Sequence, residues 1–315
     1  MDVVTVAVVG PTATGKSDLA VALARHLGGE VVNADALQLY RGMDVGTAKL
    51  TPAERAGVPH HQLDVLDVGQ ESSVARYQTD ARADVADVVA RGLRPVVVGG
   101  SGLYVRALLD RLEIPPTDPD VRGRLEARAA AEGPGLLHDE LARLDPPAAA
   151  RIDRANARRI VRALEVIELT GRPFSATLPE PEYLRPTLQI GLDCARDVLD
   201  ARIAARVDRM WADGLVEETR RLAPHMGPTA SRAIGYAQVL DLLAGRTSED
   251  QARADVVAGT RRLARRQMTW FGRDLRVHWF EADEPDLLER ALALVAEADA
   301  GRAPAPAGPR RRLHA

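Results

Sequence analysis

Residues 3–9 form a run that is apolar but for Thr5, and the chain then reads Gly10-Pro11-Thr12-Ala13-Thr14-Gly15-Lys16-Ser17 before helical spacing begins. That order of strand, loop and helix leaves few folds open. A continuous apolar strand without polar alternation needs cover on both faces, as in a parallel sheet. The loop satisfies G-x-x-x-x-G-K-[ST]: its glycines let successive backbone N–H groups curl around phosphate oxygens, and the following helix adds its positive end. In such a cradle Gly10, Pro11, Thr12, Ala13, Thr14 and Gly15 wrap the phosphates and Lys16 reaches the outer one. The Ser17 hydroxyl can hold Mg²⁺.

The rest of the pattern agrees with this start. Leu19, Leu23 and Leu27 predict a helix over 18–27, with a short strand at 30–33 and a helix over 72–91. A third buried strand at 94–98 ends in Gly99-Gly100-Ser101-Gly102. Strands alternating with helices imply a doubly wound α/β core. Around Ile114-Pro115-Pro116-Thr117-Asp118-Pro119 the pattern changes, and residues 120–171 read as helices only, broken at 133–135 and 145–147. Strand character returns at 187–192, helices dominate from 196 to 270, and 276–280 can form a last strand. The expected organisation is a phosphate-loop α/β core at 1–116 and 186–300, with a helical insertion at 117–185. Residues 301–315, rich in Gly, Pro and Arg, are expected to be a disordered tail.

Composition removes several classes. Cys194 is the only cysteine of 315 residues, which excludes an internal disulfide and a multi-cysteine zinc module. The apolar runs are far too short to span a bilayer, and Met1-Asp2-Val3 carries no basic leader, so a cytoplasmic protein is expected. Net charge −3 argues against nucleic acid only if the charge is evenly spread, and it is not. Residues 151–162 hold five arginines against Asp153, and spacing puts Arg151, Arg154, Arg158 and Arg162 on one helix face beside Arg159. A second cluster comprises Arg261, Arg262, Arg265, Arg266, Arg273 and Arg276. Solvated helix faces are one reading; two phosphate-gripping walls of a groove are the other.

The loop specifies phosphate without choosing between a nucleotide such as ATP and another diphosphate. NTP-driven switches place a carboxylate at the end of a second apolar strand to help hold Mg²⁺. Strand 94–98 ends instead in Gly-Gly-Ser, which disfavours a motor or switch and leaves transfer chemistry. Asp35, after the strand at 30–33, is the nearest carboxylate. Ligands of open α/β sheets sit beyond the carboxyl ends of the strands. Asp35 is therefore a turn or capping residue, or a general base or metal-water ligand beside the phosphates. Gln38 offers donor and acceptor together, as a base edge requires. A small-molecule kinase using Asp35 as base, and an RNA-binding protein without turnover, are the alternatives.

These motifs resemble one family. Gly10 to Ser17, Asp35, and Tyr40-Arg41-Gly42-Met43-Asp44-Val45-Gly46-Thr47-Ala48-Lys49 are similar to the opening of the tRNA dimethylallyltransferases, also called tRNA isopentenyltransferases. The likeness continues through Pro59-His60-His61, Gly99-Gly100-Ser101-Gly102-Leu103-Tyr104, the segment 158–166, Ala233-Ile234-Gly235-Tyr236 and the segment 260–271, and covers roughly 3–280. It implies transfer of a dimethylallyl group from dimethylallyl diphosphate to N6 of the adenosine just 3′ of the anticodon (adenosine 37) of tRNA. It also implies a kinase-like phosphate-loop fold whose helical insertion closes on the anticodon stem-loop. By motif position Asp35 takes the general base's place. Thr12, Lys16 and Ser17 hold the diphosphate with Mg²⁺, and Arg206 lies near the leaving group. Asp35, Ala36, Leu37, Gln38, Ser101, Arg122, Arg124, Arg158, Arg159, Arg162, Arg232, Gly235 and Tyr236 fall in segments that touch the tRNA. Ser101 replaces the usual threonine and keeps the hydroxyl. Ala36 stands where serine is frequent, and one base contact is missing. With Cys194 alone there is no zinc finger, as in the shorter bacterial type. Nothing points to an obligate dimer, so a monomer is expected. With aromatic residues at 3%, recognition is expected to rest on Arg, amide and backbone groups more than on stacking.

Overall fold

The computed structural model describes residues 3–177 and 180–306. Six strands form one parallel sheet in the order β3-β2-β4-β1-β5-β6: β1 Thr5–Val9, β2 Gly29–Asn33, β3 His60–His61, β4 Arg94–Val98, β5 Thr187–Asp193 and β6 Val277–Glu281. Central β1 is in register with both neighbours, Val6 opposite Val96 and Leu188. Its apolar run serves two cores because alternate side chains leave opposite faces. Ala7 and Val9 join Val32, Val97, Tyr77, Tyr236 and Phe271 on one side. Val6 and Val8 join Val31, Val96, Ile190, Leu23 and Val295 on the other. The two-residue β3 carries no apolar run, and sequence reading passes over it.

In chain order the helices are α1 Lys16–Leu27, α2 Val74–Ala90, α3 Gly102–Leu109, α4 Pro119–Glu132, α5 Pro134–Leu144, α6 Pro146–Ala149 and α7 Ala157–Thr170. Then follow α8 Arg196–Ala212, α9 Leu215–Leu222, α10 Pro228–Ser231, α11 Tyr236–Leu243, α12 Glu249–Phe271 and α13 Leu287–Asp299. Two compact units result, Met1–Leu109 with Tyr183–Ala315, and Asp110–Glu182. The second unit therefore begins at 110 and ends at 182, rather than at 117 and 185. Among the described residues no helix is long and apolar enough to cross a membrane. Of the tail at 301–315, residues 307–315 lie outside the described residues.

The helical unit packs Leu125, Leu137, Leu141, Ile160 and Leu164 into its own core. Glu165 is fully buried there and accepts from Arg122, Arg162 and the Asp118 N–H. Burial pushes its carboxyl up, but those donors outweigh burial and hold it below the usual carboxylate range. The arginine stripe needs correcting. α7 starts only at Ala157, because the Asn156 side chain accepts from the Arg159 N–H and caps it there. Arg151 and Arg154 precede the helix, so the four-residue face does not form. Arg154 is paired with Asp139, and Arg162 with Glu165 and the Pro115 and Pro116 carbonyls.

Candidate active site

The loop after β1 is shaped by its own bonds. The Thr14 hydroxyl donates to the Pro11 carbonyl (2.9 Å), and so does the Lys16 ammonium (2.5 Å). Gly15 takes φ 81°, a left-handed conformation that costs a residue with Cβ, and so starts α1 immediately at Lys16. α1 thus aims its free N–H groups and positive end at the loop. Burial, then the Arg206 guanidinium, pull the Lys16 ammonium down to about 7, while the Asp35 carboxylate acts in the opposite direction. Three elements thus bring charge to one point: α1, the end of β2, and α8, which carries Arg206.

Asp35 stands just past β2 in a turn with its own wiring. Its N–H donates to Asn33 Oδ1 and its Oδ1 accepts from the Leu37 N–H, each at 3.0 Å. The Asn33 amide donates to the carbonyls of Asp35 and Gln62. The turn reading of Asp35 therefore holds for one carboxylate oxygen. Oδ2 has no hydrogen bond among the described residues, and Asp35 lines a cavity of about 580 Å³. Ser101, after β4, accepts from the Ala36 N–H at 3.1 Å and fixes the same turn from the other side.

Arg206 donates to the Thr12 hydroxyl at 2.9 Å and forms no ion pair among the described residues. Burial lowers its pKa, and Asp35 works to raise it. A guanidinium in this position is an anion site awaiting charge. Gln267 of α12 joins the loops: its Oε1 accepts from the Thr12 N–H (2.9 Å) and its Nε2 donates to the Gly100 carbonyl (3.1 Å). Beyond this polar end the cavity wall turns apolar through Ile203, Val207, Met210, Ile234, Val256 and Leu263.

The segment 40–49 is a scaffold for the cavity edge. Buried Lys49 donates to the Tyr40 carbonyl, Asp44 and Asp64. Buried Glu218 accepts from three consecutive N–H groups, Asp44, Val45 and Gly46, and from the Tyr236 hydroxyl. This presents Gly46 and Thr47 to the cavity. Tyr236 corrects an expectation, since it is fully buried with its hydroxyl given to Glu218 and its ring beneath Gly46. Gly235 is buried beside it at φ 95°. Neither offers a side chain to RNA; both position the loop. Burial and Glu218 push the Tyr236 phenol well up.

The remaining expected residues divide between the two units. Ala36, Leu37, Ser101 and Arg232 line the cavity with Thr12, Asp35 and Arg206. Gln38 donates one amide N–H to the Thr47 carbonyl (3.1 Å), which ties its side chain to the scaffold while its second N–H and its Oε1 are not used by that bond. Arg122, Arg124, Arg158, Arg159 and Arg162 belong to the helical unit. There Arg122 and Arg162 serve Glu165 and Arg124 pairs with Glu168, while Arg158 and Arg159 are exposed and have no carboxylate partner among the described residues. In α12, Arg262, Arg265 and Arg266 are likewise exposed and have no ion pair among the described residues, whereas Arg261 faces Asp200; past the helix, Arg276 faces Asp274. Glu218, Gln267 and Trp270 were not anticipated; only the last two lie in a motif, the run 260–271.

Magnesium can be tested against the donors. Among the described residues no three His, Cys, Asp or Glu side chains gather to hold a metal ion. A serine hydroxyl, Ser17, beside a phosphate cradle fits Mg²⁺, which keeps waters and takes oxygens from the phosphates instead of an all-protein cage.

Fold and site together define a phosphate-loop α/β protein built for group transfer, with a general-base candidate and an anion site sharing one half-apolar cavity. The family model for IPP transferase matches residues 38–274, and that for isopentenyl transferase matches 3–69. The chain is 63% identical to the tRNA dimethylallyltransferase of Kineococcus radiotolerans over 94% of its length and 97% of the relative's. It is 60% identical to that of Thermobifida fusca, covering 93% and 94%. Among solved structures it is similar to a tRNA isopentenylpyrophosphate transferase from Bacillus halodurans, with TM-score 0.70, 39% identity and 95% and 98% coverage. It is also similar to a eukaryotic dimethylallyltransferase captured acting on tRNA, with TM-score 0.83, 25% identity and 96% and 80% coverage. The chain belongs to the tRNA dimethylallyltransferase family.

Proposed function

We propose that this protein transfers the dimethylallyl group of dimethylallyl diphosphate to N6 of adenosine 37, beside the anticodon of tRNA, releasing diphosphate. The observation that carries the reading is the meeting of Asp35, the Thr12–Lys16 loop and Arg206 around one cavity with an apolar wall. An exocyclic amine is a weak nucleophile, so it needs a positioned acceptor for its proton and an electrophile in line. The free oxygen of Asp35 supplies the acceptor. A diphosphate leaves readily only when its growing charge is met, which Lys16, Arg206 and the N–H groups at the start of α1 do. Ser17 would hold Mg²⁺, which when bound neutralises charge on the diphosphate. The five-carbon chain suits the wall of Ile203, Val207, Met210 and Leu263. The adenosine must leave its stack to reach Asp35, as in other base-modifying enzymes. The helical unit, with exposed Arg158 and Arg159, is the part we assign to closing on the anticodon stem-loop. Cytoplasmic location and a monomeric state follow from the same reading. A small-molecule kinase is not favoured, because one wall of the cavity beside the loop is aliphatic, through Ile203, Val207, Met210, Ile234, Val256 and Leu263.

The test incubates the protein with dimethylallyl diphosphate, Mg²⁺ and unmodified tRNA, then digests to nucleosides for mass spectrometry. A dimethylallyl adduct on adenosine is expected, and its absence beside an active control enzyme would refute the reading. Asp35→Ala should lose chemistry with tRNA binding largely kept. Weak binding with a normal single-turnover rate would refute its role as base.

A further inference from the structure

Trp270 is one of the few large apolar side chains of the described residues that stand well exposed, at 41%. A lone exposed aromatic on a helix needs no explanation. This one lines the cavity that holds Asp35, at its open side together with Leu103, itself 39% exposed. The indole is also fixed before any ligand arrives. It packs so closely over the first turn of α3 that a Cβ on Gly102 would lie 2.2 Å from its Nε1. One turn earlier on α12, and so on the same face, Arg266 also lines the cavity, exposed and without a carboxylate partner among the described residues. Arg232 adds a fourth exposed group to this rim, again cationic and without an ion-pair partner among the described residues.

A rigid, half-exposed indole flanked by unpaired guanidiniums matches what single-stranded RNA requires. The ring offers a π-face to a base, and the arginines meet its phosphates. The reacting adenine must reach Asp35 inside the cavity, whereas Trp270 stands at the rim. We propose that Trp270 is a stacking platform for the anticodon-loop nucleotide next to the reacting adenosine, with Arg266 holding the phosphate between them. This rests on the tRNA reading above and deepens it. Stacking therefore has a place in recognition despite the scarcity of aromatic residues. It takes only one ring, provided the ring is held still.

The experiment compares wild type, Trp270→Ala and Trp270→Phe for binding of a fluorescein-labelled anticodon stem-loop by anisotropy, with dimethylallyl diphosphate affinity measured in parallel. Stacking on one base corresponds to a loss of about 5–100-fold in stem-loop affinity for Trp270→Ala. Diphosphate affinity should stay unchanged, and Trp270→Phe should recover most of the loss. A second arm uses stem-loops carrying an abasic site on either side of the adenosine. One of the two should lose a similar factor on wild type and little more on Trp270→Ala, because both changes delete the same contact. This arm reads the wild-type protein and remains decisive if the alanine variant folds poorly. Full stem-loop affinity in a folded Trp270→Ala, or wild-type binding indifferent to both abasic sites, overturns the proposal. If wild type binds with this pattern yet transfers no dimethylallyl group, the stacking stands and the transferase reading is what fails.

Discussion

Replacing Glu218 by alanine tests whether the segment 40–49 is held as the structure indicates. The carboxylate is 4% exposed and accepts four hydrogen bonds: from the N–H groups of Asp44 (3.0 Å), Val45 (2.9 Å) and Gly46 (3.1 Å), and from the Tyr236 hydroxyl (2.6 Å). Hydrogen bonds to a charged group contribute about 1.5–3 kcal/mol each, and a buried donor left without a partner costs about 1–3 kcal/mol. The four share one carboxylate and do not add, and single substitutions seldom exceed about 5 kcal/mol. A loss of about 4 kcal/mol is therefore expected for Glu218→Ala. Tyr236→Phe removes one bond of the four and should cost about 1.5 kcal/mol. The pair should be coupled by about 1 kcal/mol or more, since the phenol loses its carboxylate acceptor once Glu218 is gone. Urea denaturation of the two single variants and the double variant gives all three numbers. If Glu218→Ala unfolds within about 1 kcal/mol of wild type, or if the double variant is simply additive, the carboxylate is not what fixes the loop.

Three further outcomes follow from the site. The free Lys16 ammonium titrates near 7, and a bound diphosphate favours its charged form and raises that value. Below pH 7 the charge is already present and diphosphate affinity should be level. Above it affinity should fall by up to about tenfold per pH unit, with proton uptake on binding. Calorimetry across pH 6–9 measures this, with Lys16→Ala as the baseline for the ligand's own titration; equal slopes in both proteins would count against the assignment. Gln267→Ala strands the Thr12 N–H and the Gly100 carbonyl, and should cost about 1–3 kcal/mol in urea denaturation. If Arg262, Arg265 and Arg266 meet tRNA phosphates, the log–log salt slope should include about −0.7 to −0.9 per contact, and each alanine replacement should remove one such increment. A salt profile unchanged by all three replacements would return them to ordinary solvent-facing residues.

What could be read from the chain and what could not differ in range. The phosphate loop, Asp35 and Ser101 were legible because each follows an apolar strand, and parallel strands deliver their following loops to one edge of the sheet. No tertiary information is needed for that step. Glu218 and Gln267 were not legible. They act on residues 172 and 255 positions away, and nothing around either marks it as an acceptor for a distant backbone. Tyr236 was misplaced for a related reason: its motif neighbourhood suggests RNA, whereas its contacts are with Glu218 and Gly46. The stripe at 151–162 failed on a local point. Spacing was read through Asn156, whose side chain is the cap at which the helix begins.

The two lysines among 42 basic residues carry that contrast further. In a chain that uses arginine nearly everywhere, both stand where a guanidinium would not serve. Lys49 brings one nitrogen within 2.6–2.8 Å of three oxygens, on Tyr40, Asp44 and Asp64. Three acceptors converging on a point suit a compact ammonium, whose donors radiate from one atom; a planar fork spreads its donors over several. Lys16 must fold back to the Pro11 carbonyl within its own loop and still face Arg206 and Asp35. An ammonium can also lose its proton near neutral pH when buried, which a guanidinium does not do. One lysine therefore holds the rigid edge of the cavity and the other tunes charge at its phosphate end. The residue type was visible from the start. The reason for it became visible only when the acceptors around each nitrogen could be named.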